Sequence, residues 1–170
     1  ETCEQLVGNA EIPLALRYFG GAGKSHMDKY GTTMKDFAKI RAKASRHAAK
    51  NPLALFKKEV SEEEVLESPI MWPGVMTRLM ACPPTCGGAA AILVSENFAN
   101  KHGIDSSIRI LAQSMTTDYE STFADRDMMQ LVGYDMSKEA AKNVYHHAGV
   151  DVQDIDVVEL HDCFATAEML

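Results

Sequence analysis

The sequence predicts an α/β fold, and three observations predict it. From Gly87 onward, short apolar runs alternate with helix-patterned segments across short joins, the strand–helix–strand order of a βαβ unit in a parallel sheet. The run "GGAAAILVS" is made of small and branched residues, which suits a strand covered on both faces. And 170 residues, 46% hydrophobic and 24% charged, are enough to build a domain with a real core.

Taken in order, residues 33–50 place Met34, Phe37, Ile40, Ala44 and Ala48 at three- and four-residue spacing, an apolar stripe on a basic helix that Asn51-Pro52 ends. Ser61 followed by Glu64 is a capping-box pattern opening a short acidic helix that stops near Ser68-Pro69. "MWPGVMTRLMACPPT" is rich in Pro and Met and reads as irregular chain laid over a core. Residues 87–95 read as a strand, Ser95 caps the helix "ENFANKH", and Gly103 stops it. Residues 107–115 read as a second strand. Ser137 opens a helix with Ala140, Ala141, Val144, Tyr145 and Ala148 on one side, closed by Gly149, and residues 156–160 form a third strand that delivers His161.

Composition excludes several classes. The net charge of -7 argues against non-specific nucleic-acid binding. No apolar run approaches the roughly 20 residues that span a bilayer, and the N-terminus lacks the pattern of a signal peptide. Four cysteines without a secretory signal point to a reducing compartment rather than a disulfide framework. Charge is uneven: residues 1–102 carry 13 Lys+Arg against 11 Asp+Glu, and residues 103–170 carry 4 against 13, so two functionally different portions are expected. The missing initiator Met and the abrupt "AEML" end lead us to expect an internal piece of something longer.

Two motifs lose on their own requirements. "GGAGKS" lacks the glycine a phosphate-binding loop needs five positions before Gly23, where Tyr18 stands, and no buried strand leads into it; a turn is expected there. "CPPTC" (Cys82, Cys86) is half of a zinc site without a second pair, and His146-His147 are adjacent on a helix, so no metal is expected. The basic helix is either a solvated face or a seat for a phosphorylated ligand. "HDCF" differs by its location. Reactive groups leaving the carboxyl end of a strand face the crevice where open sheets bind ligands, and a thiol just before a helix favours thiolate. A half-buried Cys beside a hydrogen-bonded His with no chemistry remains the alternative.

The residues "DIDVVELHDCFATAEML" resemble the segment in which thiolases carry an Asn-Glu-Ala-Phe loop, in the His-Asp-Cys-Phe version of the sterol carrier protein type and its bacterial relatives. "GKSHMDKYGTTMKDFAKIRAKASRHAAKNPLALF" resembles the family's loop domain, "CGGAAAILVSENFANKHG" the last strand and helix of its first half, and "GYDMSKEAAKNVYHHAGVDVQDIDVVELHDCF" the start of its second half.

The resemblance implies a partial thiolase-like α/β fold: residues 1–103 as the C-terminal part of the N-terminal half, with the loop domain and that half's last strand, and residues 104–170 as the start of the C-terminal half. It implies acyl transfer on 3-oxoacyl-coenzyme A through a Cys acyl-enzyme, with acyl-coenzyme A as partner, coenzyme A as co-substrate, no permanently bound cofactor, and a homodimer in the intact protein. His161 would donate to the thioester oxygen and Cys163 would move the proton; Met27 would fall in a region lining the acyl pocket. The nucleophile, Gly-His-Pro and final glycine-rich loops find no match, so the chain itself is expected to be inactive. The other implied function is a non-catalytic thiolase-fold protein that binds or transfers acyl-coenzyme A or lipid. The expected compartment is the bacterial cytoplasm, or the peroxisome in a eukaryote.

Overall fold

The computed structural model describes residues 12–124 and 126–170. Cys3 and the start of the predicted 1–103 portion lie outside them. Two long helices, α1 (Leu14–Tyr30) and α2 (Met34–Ala49), are followed by α3 (Glu62–Glu67) and the strands β1 (Ile70–Trp72) and β2 (Met76–Thr77). Beyond a 3-10 turn at Arg78–Met80 come α4 (Glu96–His102), α5 (Ser121–Ala124), α6 (Met128–Leu131), α7 (Tyr134–Ala148) and α8 (Ala165–Met169). No helix among the described residues is long and apolar enough to cross a membrane.

The glycine run expected to be a turn is the middle of α1. Glycine costs a helix about 1 kcal/mol relative to Ala, but here side chains pack against the bare backbone. A Cβ on Gly20 would stand 2.6 Å from the Trp72 ring, and one on Gly23 would stand 2.7 Å from Val75 Cγ1. Lys24, one turn on, pairs with Asp28. Amides inside a helix are already bonded, so this stretch has no phosphate cradle.

At the start of α2 the Thr33 N–H donates to Asp36 Oδ2 at 3.0 Å. The predicted stripe divides: Phe37 enters the core with Ala38, Ala42 and Ser45, whereas Ile40, Ala44 and Ala48 face an open cavity described below. Ser45 is buried but satisfied, its Oγ donating to Ala42 O at 2.7 Å and accepting from Val60 N–H at 3.0 Å. The Ser61 box forms as expected, with Glu64 N–H to Ser61 Oγ at 3.1 Å and Ser61 N–H to Glu64 Oε2 at 2.8 Å.

The segment read as irregular holds a two-stranded antiparallel hairpin, β1 with β2. Its turn is Trp72-Pro73-Gly74-Val75: the Val75 N–H donates to Trp72 O at 3.2 Å, Pro occupies the first central position, and Gly74 at φ 72° takes the second, the pattern of a type II turn. Thr77, fully buried, donates its hydroxyl to Val65 O at 2.7 Å and ties the hairpin to α3.

The three predicted strands are corrected. Residues 87–95, 107–115 and 156–160 make no ladder with one another among the described residues, and Ile92 (91%), Ile108 (93%) and Val157 (81%) stand open to solvent. An apolar run becomes a strand only when a neighbour takes its N–H and C=O groups and a layer covers its side chains; neither condition is met. The sheet that forms among the described residues is the small hairpin. Helix α7 is also longer than predicted. It begins at Tyr134 after Gly133, and Ser137 sits in its first turn with its N–H on Gly133 O at 2.9 Å. The helix over Glu96–His102 and the caps at Ser95, Gly103 and Gly149 are as read from the sequence.

The main core joins Leu16, Phe37, Val65, Val75, Met76 and Met80 to Phe164 and Ala165. It therefore draws on both predicted portions of the chain. A smaller cluster closes Ala22 against Met128.

Candidate functional site

Phe164 carries the "HDCF" segment into the core. Its ring stacks on Phe19 of α1, and its backbone forms an antiparallel bridge with Ala81. One residue outward, the Cys82 N–H donates to Cys163 O at 2.8 Å. The two thiols are thus cross-strand neighbours. Pro83 and Pro84 follow Cys82 and favour the extended backbone this pairing requires.

This pairing forms one wall of a cavity of about 1220 Å³, larger than the 300–1,000 Å³ usual for small-molecule sites and open to solvent. Leu16 and Phe19 of α1, and Ile40, Ala44 and Ala48 of α2, supply apolar lining; Arg41 and Arg78 supply charge. His161, Asp162 and Cys163 stand together on the same lining.

His161 is exposed and Cys163 half-buried. Burial, with the Cys82 thiol beside it, pushes the Cys163 thiol above the ordinary range. The α8 dipole was expected to favour thiolate, but a helix of five residues does not offset burial here. Partial burial also raises the Asp162 carboxyl, and the neighbouring Glu168 carboxyl adds to the rise. Glu168 in turn pairs with Lys43 of α2. Burial lowers the Arg41 guanidinium, and the charge of Asp162 opposes that shift. The basic helix is therefore joined to the "HDCF" loop by charge from both sides.

Met27 is not brought to this cavity. It lies on the last turns of α1, half-buried against the main core. Phe19, Arg41 and Cys82 were not singled out from the sequence as site residues. A periodicity check on α1 could have found Phe19, and Cys82 carried a signal that only a metal reading had used. Its cross-strand position is not visible in sequence spacing.

No protein-family model matches the chain. Individual proteins do. Sterol carrier protein 2 of Oryctolagus cuniculus is 49% identical over 165 residues, 96% of this chain and 30% of the relative. Over nearly its whole length the chain is similar to sterol carrier protein 2-type, thiolase-like proteins. Non-specific lipid-transfer protein-like 2 of Caenorhabditis elegans is 35% identical over 98% of this chain and 40% of its own length. Benzoylsuccinyl-CoA thiolase subunit BbsB of Thauera aromatica is 36% identical over 85% of this chain and 36% of its own length. The resemblance carried by "HDCF" is thus borne out at the family level. The chain spans about a third of the length of these thiolase-like relatives.

Proposed function

We propose that this segment forms the acyl-binding wall of a thiolase-like protein that binds or transfers acyl-coenzyme A or lipid. The observation that carries the reading is the open, apolar cavity of about 1220 Å³ with Arg41 and Arg78 on its lining. An acyl chain laid along Phe19, Ile40 and Ala44 gains roughly 0.8 kcal/mol for each methylene removed from water. Beside it, Lys39, Lys43 and Arg46, with one carboxylate from Glu62, line a second cleft of about 360 Å³ whose net charge is positive, and Ile40 belongs to both. Phosphates of a coenzyme A moiety suit that cationic cleft. The names of the mammalian and nematode relatives, sterol carrier and lipid-transfer proteins, support lipid binding or transfer.

A second reading, acyl transfer on 3-oxoacyl-coenzyme A, is favoured by His161 and Cys163 sharing one wall and by the thiolase subunit among the relatives. In it His161 donates to the thioester oxygen and Cys163 moves the proton, while the acyl-carrying nucleophile belongs to another part of a longer protein.

The test is titration with a fluorescent long-chain acyl-coenzyme A, alongside a thiolysis assay with a 3-oxoacyl-coenzyme A. Saturable binding, weakened tenfold or more in Ala44→Phe, which fills the cavity, is the expected result. Binding that Ala44→Phe leaves unchanged removes the cavity from the account. Thiolysis by a longer protein carrying this segment, lost in its His161→Ala variant, would replace the binding reading with the catalytic one.

A further inference from the structure

We propose that Cys82 and Cys163 are a reversible thiol–disulfide pair that straps one wall of the cavity shut when oxidised. The geometry has three parts. Ala81 and Phe164 form an antiparallel bridge, so Cys82 and Cys163 are the next residues facing each other across it. The Cys82 N–H donates to Cys163 O at 2.8 Å, a bond that flanks the bridge. Facing residues of an antiparallel pair hold their Cα atoms about 4.5–5.5 Å apart, inside the roughly 4.4–6.8 Å that a disulfide spans. Residues opposite each other in an antiparallel pair present their side chains to the same face, and both cysteines line the same cavity. Both thiols are free here, Cys82 exposed and Cys163 half-buried.

The oxidant is a small-molecule disulfide of the glutathione class, reached through the exposed thiol. The Cys82 thiolate attacks it, forming a mixed disulfide and releasing one thiolate. The Cys163 thiolate then attacks the Cys82 sulfur and displaces the second. Two electrons pass to the small disulfide, and the two protons lost by Cys82 and Cys163 go to the two released thiolates. A solvent-accessible bond of this kind belongs to the labile, regulatory class rather than the structural one. Phe164 is anchored in the core and Pro83-Pro84 stiffen the other side, so the new bond fixes the "HDCF" loop between two held segments. The consequence for turnover, loss of the Cys163 proton shuttle, rests on the catalytic reading above; formation of the bond does not.

The experiment oxidises the folded protein with oxidised glutathione, blocks remaining thiols with iodoacetamide, and maps tryptic peptides without reduction. The expected product is two hydrogen atoms lighter and joins the peptide of residues 79–101 to that of residues 143–170. Because Cys86 shares the first peptide, the link must persist in Cys86→Ser and vanish in Cys82→Ser. A link that survives Cys82→Ser, a bond between Cys82 and Cys86, or glutathione adducts without a link would each overturn the proposal. Acyl-coenzyme A titration before and after oxidation, and again after dithiothreitol, reads the strap separately. Linked protein with unchanged affinity would leave the disulfide standing and sink its effect on the cavity. No binding in any state would instead count against the binding reading.

Discussion

Phe19 and Phe164 stack with ring centroids 4.5 Å apart and planes 20° from parallel, joining α1 to the residue that follows Cys163. The geometry of the candidate site depends on this contact. It pins the end of "HDCF" in the core while His161 and Asp162 remain at the surface.

Phe164→Ala removes a buried ring and its stacking partner, and is expected to cost about 3–5 kcal/mol of stability. Denaturant unfolding measures it. A loss below 1 kcal/mol would show that the ring does not anchor the segment.

The glycines of α1 give a contrast. Gly20→Ala and Gly23→Ala are expected to destabilise by about 1–3 kcal/mol despite better helix propensity, because the new methyl meets the Trp72 ring or Val75. Gly21→Ala meets the flexible end of Met128 instead, so its melting temperature should hold or rise. Equal effects at all three positions would contradict the packing argument.

Acid should loosen the helix starts. The Thr33 hydroxyl and N–H hold Asp36 below the ordinary range, and the Ser61 N–H followed by Lys58 does the same for Glu64. Depressed carboxylates stabilise the fold above their unfolded values, about 3.9 and 4.3, and that stability is lost as pH falls through the folded values. Helicity by circular dichroism should drop on acidification below about pH 4, and drop less in the Asp36→Asn, Glu64→Gln double variant.

Cys163 should alkylate slowly at neutral pH, with a midpoint above that of a free thiol, about 8.5. Cys82→Ser removes the neighbouring thiol that adds to the shift and should bring the midpoint down. The check is the rate of iodoacetamide labelling against pH, read by mass spectrometry; a midpoint below the free-thiol value would reverse the assignment.

In a longer thiolase-like protein carrying this segment, His161→Ala should lower thiolysis about 10²–10³-fold, the scale of a lost oxyanion donor. An unchanged kcat would remove His161 from the catalytic reading.

Local signals were legible in the sequence wherever a side chain bonds its own backbone neighbourhood. The Ser61–Glu64 and Ser95 caps, the stop at Asn51-Pro52 and the glycines at positions 103 and 149 needed nothing distant to work, because capping closes within one helical turn. The "HDCF" residues and their family were likewise readable, since the motif is contiguous. Strands were not decided locally. Residues 87–95, 107–115 and 156–160 have the composition of strands but no ladder partner among the described residues, and ladder formation depends on residues far along the chain. Only the tertiary structure turned Gly20, Gly21 and Gly23 from a loop into helix, by setting Trp72, Met128 and Val75 against them. It alone divided the α2 stripe between core and cavity and set Cys82 opposite Cys163. Sequence determines what closes over a few residues; contacts between distant segments require the chain to bring them together, and burial then chooses among the faces it offers.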